Sequence, residues 1–314
     1  MEIKELTQYI KAEAARLGFD VCGIARAGEV APAQADALER WVQEGCHGTM
    51  SYLERNGDKR RNPAELVPGC KSIISVALGY AQESFDETHL HLSRYAQGDD
   101  YHKIVKDKLH LLLQSINSVH PVKGRPFCDS APVMERYWAK EAGIGRIGKN
   151  HQLIIPRLGS YFFLGELLVD CELEYDKPLT ESICGGCTRC IDNCPTGALT
   201  THGFDARKCL SYLTIEHRGE LPENLGEKMG KCIYGCDRCQ TACPWNRGAQ
   251  PCKEPAMRTN EGLAAMRDSD WHTLSEERYK ELFAHSAVER AGYALLTRNI
   301  AAVKESEKKV SATE

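Results

Sequence analysis

The run CGGCTRCIDNCP, residues 184–195, decides how the rest of the chain is read. Its C-x2-C-x2-C-x3-C-P spacing suits a [4Fe–4S] cluster. Three thiolates two residues apart take three corners of a cube, and the fourth, turned away by the proline after it, reaches a second cluster. A second run, Cys236-x2-Cys239-x3-Cys243-Pro244, repeats the ending but has Ile233 where its first cysteine belongs. The missing ligand must come from elsewhere, and Cys209 and Cys232 are the candidates. Crossing the runs gives one cluster to Cys184, Cys187, Cys190 and Cys243, and the other to Cys194, Cys236, Cys239 and either Cys209 or Cys232. Zinc also takes cysteines in fours, but two C-x2-C-x3-C-P endings match the iron–sulfur spacing better.

The whole chain has 314 residues and 15 cysteines, nine of them between Cys184 and Cys243. So uneven a distribution, with no signal peptide, excludes an evenly stapled extracellular scaffold. A net charge of −4 with 42 % hydrophobic and 27 % charged residues is that of an ordinary globular protein. No continuous apolar stretch is long enough to span a membrane, so a cytoplasmic location is expected. The first residues form an amphipathic helix with Ile3, Leu6, Ile10, Ala14 and Leu17 on one face.

Two clusters close together pass electrons singly, so the chain either carries electrons or uses them. A bare ferredoxin-like carrier does not need so long a preceding region. That region alternates helices and strands: a buried strand over 72–80, a helix over 102–119 closed by Pro121, an extended segment over 124–128, and strands at 152–155 and 160–169. Residues 1–178 therefore read as an α/β or α+β domain, 179–253 as a ferredoxin-like double-cluster module, and 254–314 as a helical segment. Leu274, Tyr279, Leu282, Leu295 and Leu296 of that segment are available to pack back, and the final KESEKKVSATE reads as a frayed tail. The chain as a whole is α+β.

Asp129 stands where an extended segment turns toward a helix that has Ser130 near its start, Pro132 in its first turn and Gly143 just past its end. Its carboxyl can be a plain helix cap or, in a partly closed site, a proton donor with a raised pKa. Downstream, Arg136, Lys140, Arg146, Lys149 and Arg157 face one anion, Glu141, a local basic excess that suits an anionic partner such as nucleic acid. Gly143-Ile144-Gly145-Arg146-Ile147-Gly148 spells a dinucleotide fingerprint, but it follows a helix instead of a strand. No nucleotide site is read from it.

Five segments taken in order resemble epoxyqueuosine reductases: RYAQGDDYH (94–102), DSAPVMERYWAKEAGIGRIGKN (129–150), CGGCTRCIDNCPTGAL (184–199), RKCLSYLTIE (207–216) and YGCDRCQTACPWN (234–246). The resemblance implies an α/β cobalamin-binding domain before the cluster module. It also implies removal of the epoxide oxygen from epoxyqueuosine at the wobble position of tRNA, the last step of queuosine biosynthesis. It implies two [4Fe–4S] clusters, with Cys209 as the missing ligand, and Asp129 as the catalytic acid. Cobalamin would be held by Arg60, Arg94, Tyr95, Tyr101, His102 and Asp129. Arg136, Arg146, Lys149, Asn150 and Trp245 would contact the tRNA. A monomer fed by a separate electron donor is expected. This chain departs from the family pattern in carrying Arg146 where many relatives have tryptophan, and Val105 where a cobalamin-ligating motif has glycine. The alternatives are a reductive dehalogenase or a ferredoxin-like carrier.

Overall fold

In the computed structural model, which describes residues 1–83 and 86–311, the strand Ser72–Gly79 is buried along its whole length. It is an inner strand of a four-stranded sheet ordered Val21–Arg26, Ser72–Gly79, Phe162–Val169, Gly124–Phe127. Every neighbouring pair is antiparallel. A strand covered on both faces has no solvent side, so its sequence shows an apolar run without polar alternation. On one face Ile74, Val76, Leu78, Leu167 and Val169 pack with the helices Ile3–Arg16 and Tyr101–Val119. On the other, Ile73, Ala77 and Leu168 meet Tyr137, Trp138 and Ala139 of the short helix Glu135–Glu141 and Ala142, which caps its end.

The first helix buries Leu6, Ile10 and Ala14 as its periodicity predicts, while Ile3 remains 48 % exposed. Asp100 caps the long helix by accepting the His102 N–H at 3.0 Å. The expected helix after Asp129 begins later than the sequence suggests, at Glu135. Pro132 disfavours helical backbone at Ala131, and tight turns run from Ser130 N–H to Cys128 O and from Val133 N–H to Ala131 O. Asp129 is therefore no helix cap. It sits in a turn with φ 56°.

A second core joins the cysteine region to the C-terminal helices. Leu210, Leu213, Ile233 and Tyr234 pack with Leu274, Tyr279, Leu282, Leu295 and Leu296. Leu92 also belongs to it, through a parallel pairing of His91–Leu92 with Cys232–Tyr234. The expected frayed tail is instead helical, since Tyr293–Ser311 is continuous. Fully buried Val303 and Asn299 anchor it, the Asn299 amide donating to Thr214 O and Ile233 O. Residues 312–314 of that tail lie outside the described residues.

Gly23 lets the Glu135–Glu141 helix lie close against the sheet, because a Cβ at Gly23 would fall 2.2 Å from Ala142 O. Gly23→Ala is expected to lower thermal stability by the equivalent of about 1–3 kcal/mol. An unchanged melting temperature would contradict that packing.

Candidate functional site

Chain turns bring the cysteines of the two runs together. Burial pushes the Cys190 thiol up, and Cys184 and Cys243 add to the effect. Cys243 in turn feels Cys184 and Cys187. In the other group Cys209 feels Cys194, Cys236 feels Cys209, and Cys239 feels Cys236, Cys209 and, across the gap between groups, Cys190. Burial raises the Cys194 thiol, but backbone N–H groups of Leu199, Thr196 and Ala198 and the Thr196 hydroxyl outweigh it and lower its pKa. Such donors suit a metal-bound thiolate. Cys232 turns its sulfur to its own backbone, with Sγ 3.5 Å from both Tyr234 O and Gly235 O.

Around Asp129 the structure gathers three polar side chains. Tyr101 donates its hydroxyl to Asp129 Oδ2 at 2.5 Å, and His102 Nε2 lies 3.1 Å from the same oxygen. The other imidazole nitrogen, Nδ1, is 2.6 Å from Asp100 Oδ1. Burial opposes charging of His102, but its hydrogen bonds to Asp100 and Asp129 outweigh burial and lift the imidazole to about 9. Burial raises Asp129, but the hydrogen bonds from His102 and Tyr101 outweigh it and hold the carboxyl below its usual range. Thus the proton of the pair rests on His102 in the open site, the reverse of the raised carboxyl expected from sequence.

The side chain of Asp129 is 55 % exposed, and Arg136 and His151 are exposed too. Yet loss of solvation to surrounding protein is the largest influence on all three. Exposed groups with this much protein around them sit in a recess of the surface rather than on a protruding face. Tyr52 and Arg290 bear on Asp129 from further segments of the chain. Tyr101 stacks on Phe163 with ring centroids 4.0 Å apart. Tyr95 lies between Tyr101 and Tyr234, with its ring centroid 6.3 and 6.4 Å from theirs. An aromatic wall so links Asp129's partner to the segment entering Cys236.

Other sequence-chosen residues are placed differently. Arg60 donates to the carbonyls of Tyr52, Leu53 and Arg55, and so shapes the turn that carries Tyr52. Arg94 meets Asp237 and Thr241. Lys149 Nζ donates to Gly185 O and Cys187 O at 2.8 and 3.0 Å, and its backbone N–H points at Cys184 Sγ. Arg146 donates to Leu179 O, Trp245 to Ile183 O and Asn150 to Cys239 O. Lys140 pairs with Glu141. Of the residues chosen for tRNA contact, Arg136 is the one on the concavity wall, donating to His151 O.

A family model described as "4Fe-4S double cluster binding domain" matches residues 183–246, and one described as "Epoxyqueuosine reductase QueG, DUF1730" matches residues 60–130. The epoxyqueuosine reductase of Leadbetterella byssophila is 45 % identical over 305 residues, covering 96 % of this chain and all of that one. The chain belongs to the epoxyqueuosine reductase family. It is accordingly an oxidoreductase, and its cofactors include two [4Fe–4S] clusters rather than zinc. Among solved structures, a complex of epoxyqueuosine reductase with an epoxyqueuosine-modified tRNA-Tyr stem loop matches with TM-score 0.87 and 30 % identity, over 96 % of this chain and 81 % of that one. The Bacillus subtilis epoxyqueuosine reductase, in a structure with its aspartate catalytic loop swung out of the active site, matches with TM-score 0.85 and 29 % identity, over 96 % and 82 %.

For this member of the epoxyqueuosine reductase family, sequence reading missed Tyr52, Phe163 and Arg290, which reach the site only through tertiary packing. It also passed over Glu166, although a lone acid inside the apolar strand FFLGELLV is a readable signal. Cys236 bears on Cys232 as well as on Cys209, and it is the family resemblance that implies Cys209 as the eighth ligand. Cys209→Ser is expected to lower the iron content of reconstituted protein by one cluster, and Cys232→Ser to leave it unchanged. The opposite pattern would overturn the assignment.

Proposed function

We propose that the chain reduces epoxyqueuosine to queuosine at the wobble position of tRNA, as a cytoplasmic monomer supplied by a separate electron donor. The observation that carries this reading is the Asp100–His102–Asp129 network, open to solvent in a recess and backed by a chain of buried and half-buried aromatic side chains that runs to the cysteine module. The crossed groups Cys184, Cys187, Cys190, Cys243 and Cys194, Cys209, Cys236, Cys239 would ligate the two clusters. No helix among the described residues is long and apolar enough to cross a membrane.

The concavity fits a large cofactor with a polar rim. Its walls offer an exposed aromatic ring at Tyr52 and polar groups at His102, Arg136 and His151, and these residues would hold cobalamin, with Tyr101, stacked against both Phe163 and His102, behind them. When bound, the clusters supply single electrons and cobalamin supplies a cobalt centre able to reduce the epoxide carbon. Arg94 and Tyr95, expected at the cofactor, act one layer back, tying the concavity to the cysteine module.

Opening an epoxide to an alkene consumes two electrons and two protons and releases water. Asp129 would deliver a proton to the epoxide oxygen as the C–O bond breaks. Burial already pushes this carboxyl upward, and filling the concavity expels the water that stabilises its charge. The proton then moves from His102 to Asp129, where the oxygen can take it. Asp100 holds the imidazole in place for recharging. A flipped, unstacked anticodon base is the form of substrate such a concavity admits.

Asp129→Asn is expected to cut single-turnover reduction of a modified stem loop by about 10²–10⁴, with iron content unchanged; an unaffected rate would refute the role. The raised His102 is charged below its pKa and neutral above it, so the rate should fall as pH rises through about 9. In His102→Gln the fall centred near pH 9 should vanish. A fall near pH 9 that persists in this variant would exclude His102 as the proton supply.

A further inference from the structure

Glu166 is fully buried, and no donor reaches either of its carboxyl oxygens. It lies on the strand Phe162–Val169, opposite Ser75, whose buried hydroxyl is also unpartnered. Alternation along the strand puts Glu166 on the side of Leu168, which packs against the Glu135–Glu141 helix. The first residue of that helix, Glu135, is its carboxyl neighbour. Glu135 Oε1 in turn accepts the backbone N–H of Asp129. Asp129 has φ 56°, a left-handed conformation that a residue with a Cβ holds only when its surroundings enforce it. In the Bacillus subtilis relative the corresponding kind of loop has been seen swung out.

We propose that Glu166 and Glu135 form a carboxyl latch that holds the Asp129 loop in its reactive position, Glu166 fixing Glu135 and Glu135 taking the Asp129 amide. The proposal rests on the reading of Asp129 as proton donor, and it makes Glu135 and Glu166 positioning residues. An ionised carboxylate buried without donor or cation is strongly disfavoured. Burial first, and Glu135 second, therefore keep Glu166 protonated, with its pKa raised well above the carboxylate range. That proton gives Glu166 an O–H to offer Glu135. Burial and then the charge of Asp129 raise Glu135 to about 8, against the Asp129 N–H, Arg136 and His102. Cys128 faces the same pair, and Lys106 acts on Cys128. Below about pH 8 Glu135 is neutral and the latch closed. Above it a second negative charge forms beside Asp129 and repels it.

Hydrogen–deuterium exchange of the full, cluster-loaded protein reads the latch directly at residues 128–134. Wild-type protection there, corrected for intrinsic exchange, is expected to fall as pH rises through about 8. Glu135→Ala should lose it already at neutral pH. Glu135→Gln keeps an acceptor oxygen and cannot ionise, so it should stay protected throughout. Glu166→Leu should open the loop as Glu135→Ala does. Single-turnover rates should follow: a loss of about ten- to a hundredfold in Glu135→Ala, largely recovered in Glu135→Gln, with stem-loop binding unchanged. Wild-type protection in Glu135→Ala, or Glu135→Gln as open as Glu135→Ala, would overturn the latch. Should Glu135→Ala fail to fold, the pH series on wild type and Glu135→Gln decides alone. An Asp129→Asn variant that keeps full rate while the loop data hold would sink the proton-donor role and leave the latch standing.

Discussion

Bringing Cys243 back within electrostatic reach of Cys184, and Cys194 within that of Cys209, is the constraint on which the rest of the molecule depends. Neither run places a whole quartet locally, so the chain between them must close on itself. That stretch buries Leu210, Leu213, Met229 and Ile233 of its own, and the closure also draws on its surroundings. Lys149 from the first domain reaches the carbonyls of the first run, and Gln240 between the last two cysteines bonds Tyr80 and Ser160 of the sheet domain. The C-terminal helices complete the core on the far side. Cluster module, sheet and C-terminal helices are thus mutually required, and the concavity at Asp129 lies where they meet.

Inside that concavity the balance of solvation and hydrogen bonding sets the chemistry. Burial drives the carboxyls of Asp129, Glu135 and Glu166 toward their neutral forms. His102 and Tyr101 reverse this for Asp129 alone. Three acids within one small region therefore divide into a charged one, open to solvent, and two neutral ones behind it. A site built this way can take a proton from an imidazole, pass it to an alkoxide, and hold its own loop with uncharged carboxyls.

Much of this was legible in the amino-acid order. The largely apolar strand at 72–79, the amphipathic first helix, the long helix after Asp100 and the two cysteine runs each follow from periodicity or spacing. The turn at Asp129 was not, because a left-handed residue is fixed by Glu135 and the sheet beneath rather than by its neighbours in sequence. The basic excess between Arg136 and Arg157 was visible as charge, but its direction was not. Arg146 and Lys149 turn to carbonyls of the segment leading into and forming the first cysteine run. Counting charges shows their sum and nothing of where each side chain points.

The most direct test of the central claim is mass spectrometry of an epoxyqueuosine-modified anticodon stem loop. The RNA is incubated with the iron-loaded protein, a low-potential reductant, and cobalamin either present or withheld. The expected result is loss of one oxygen atom from the modified base when cobalamin is present, and none when it is withheld. An unchanged RNA mass, with full iron content and bound cobalamin verified in the same sample, would contradict it.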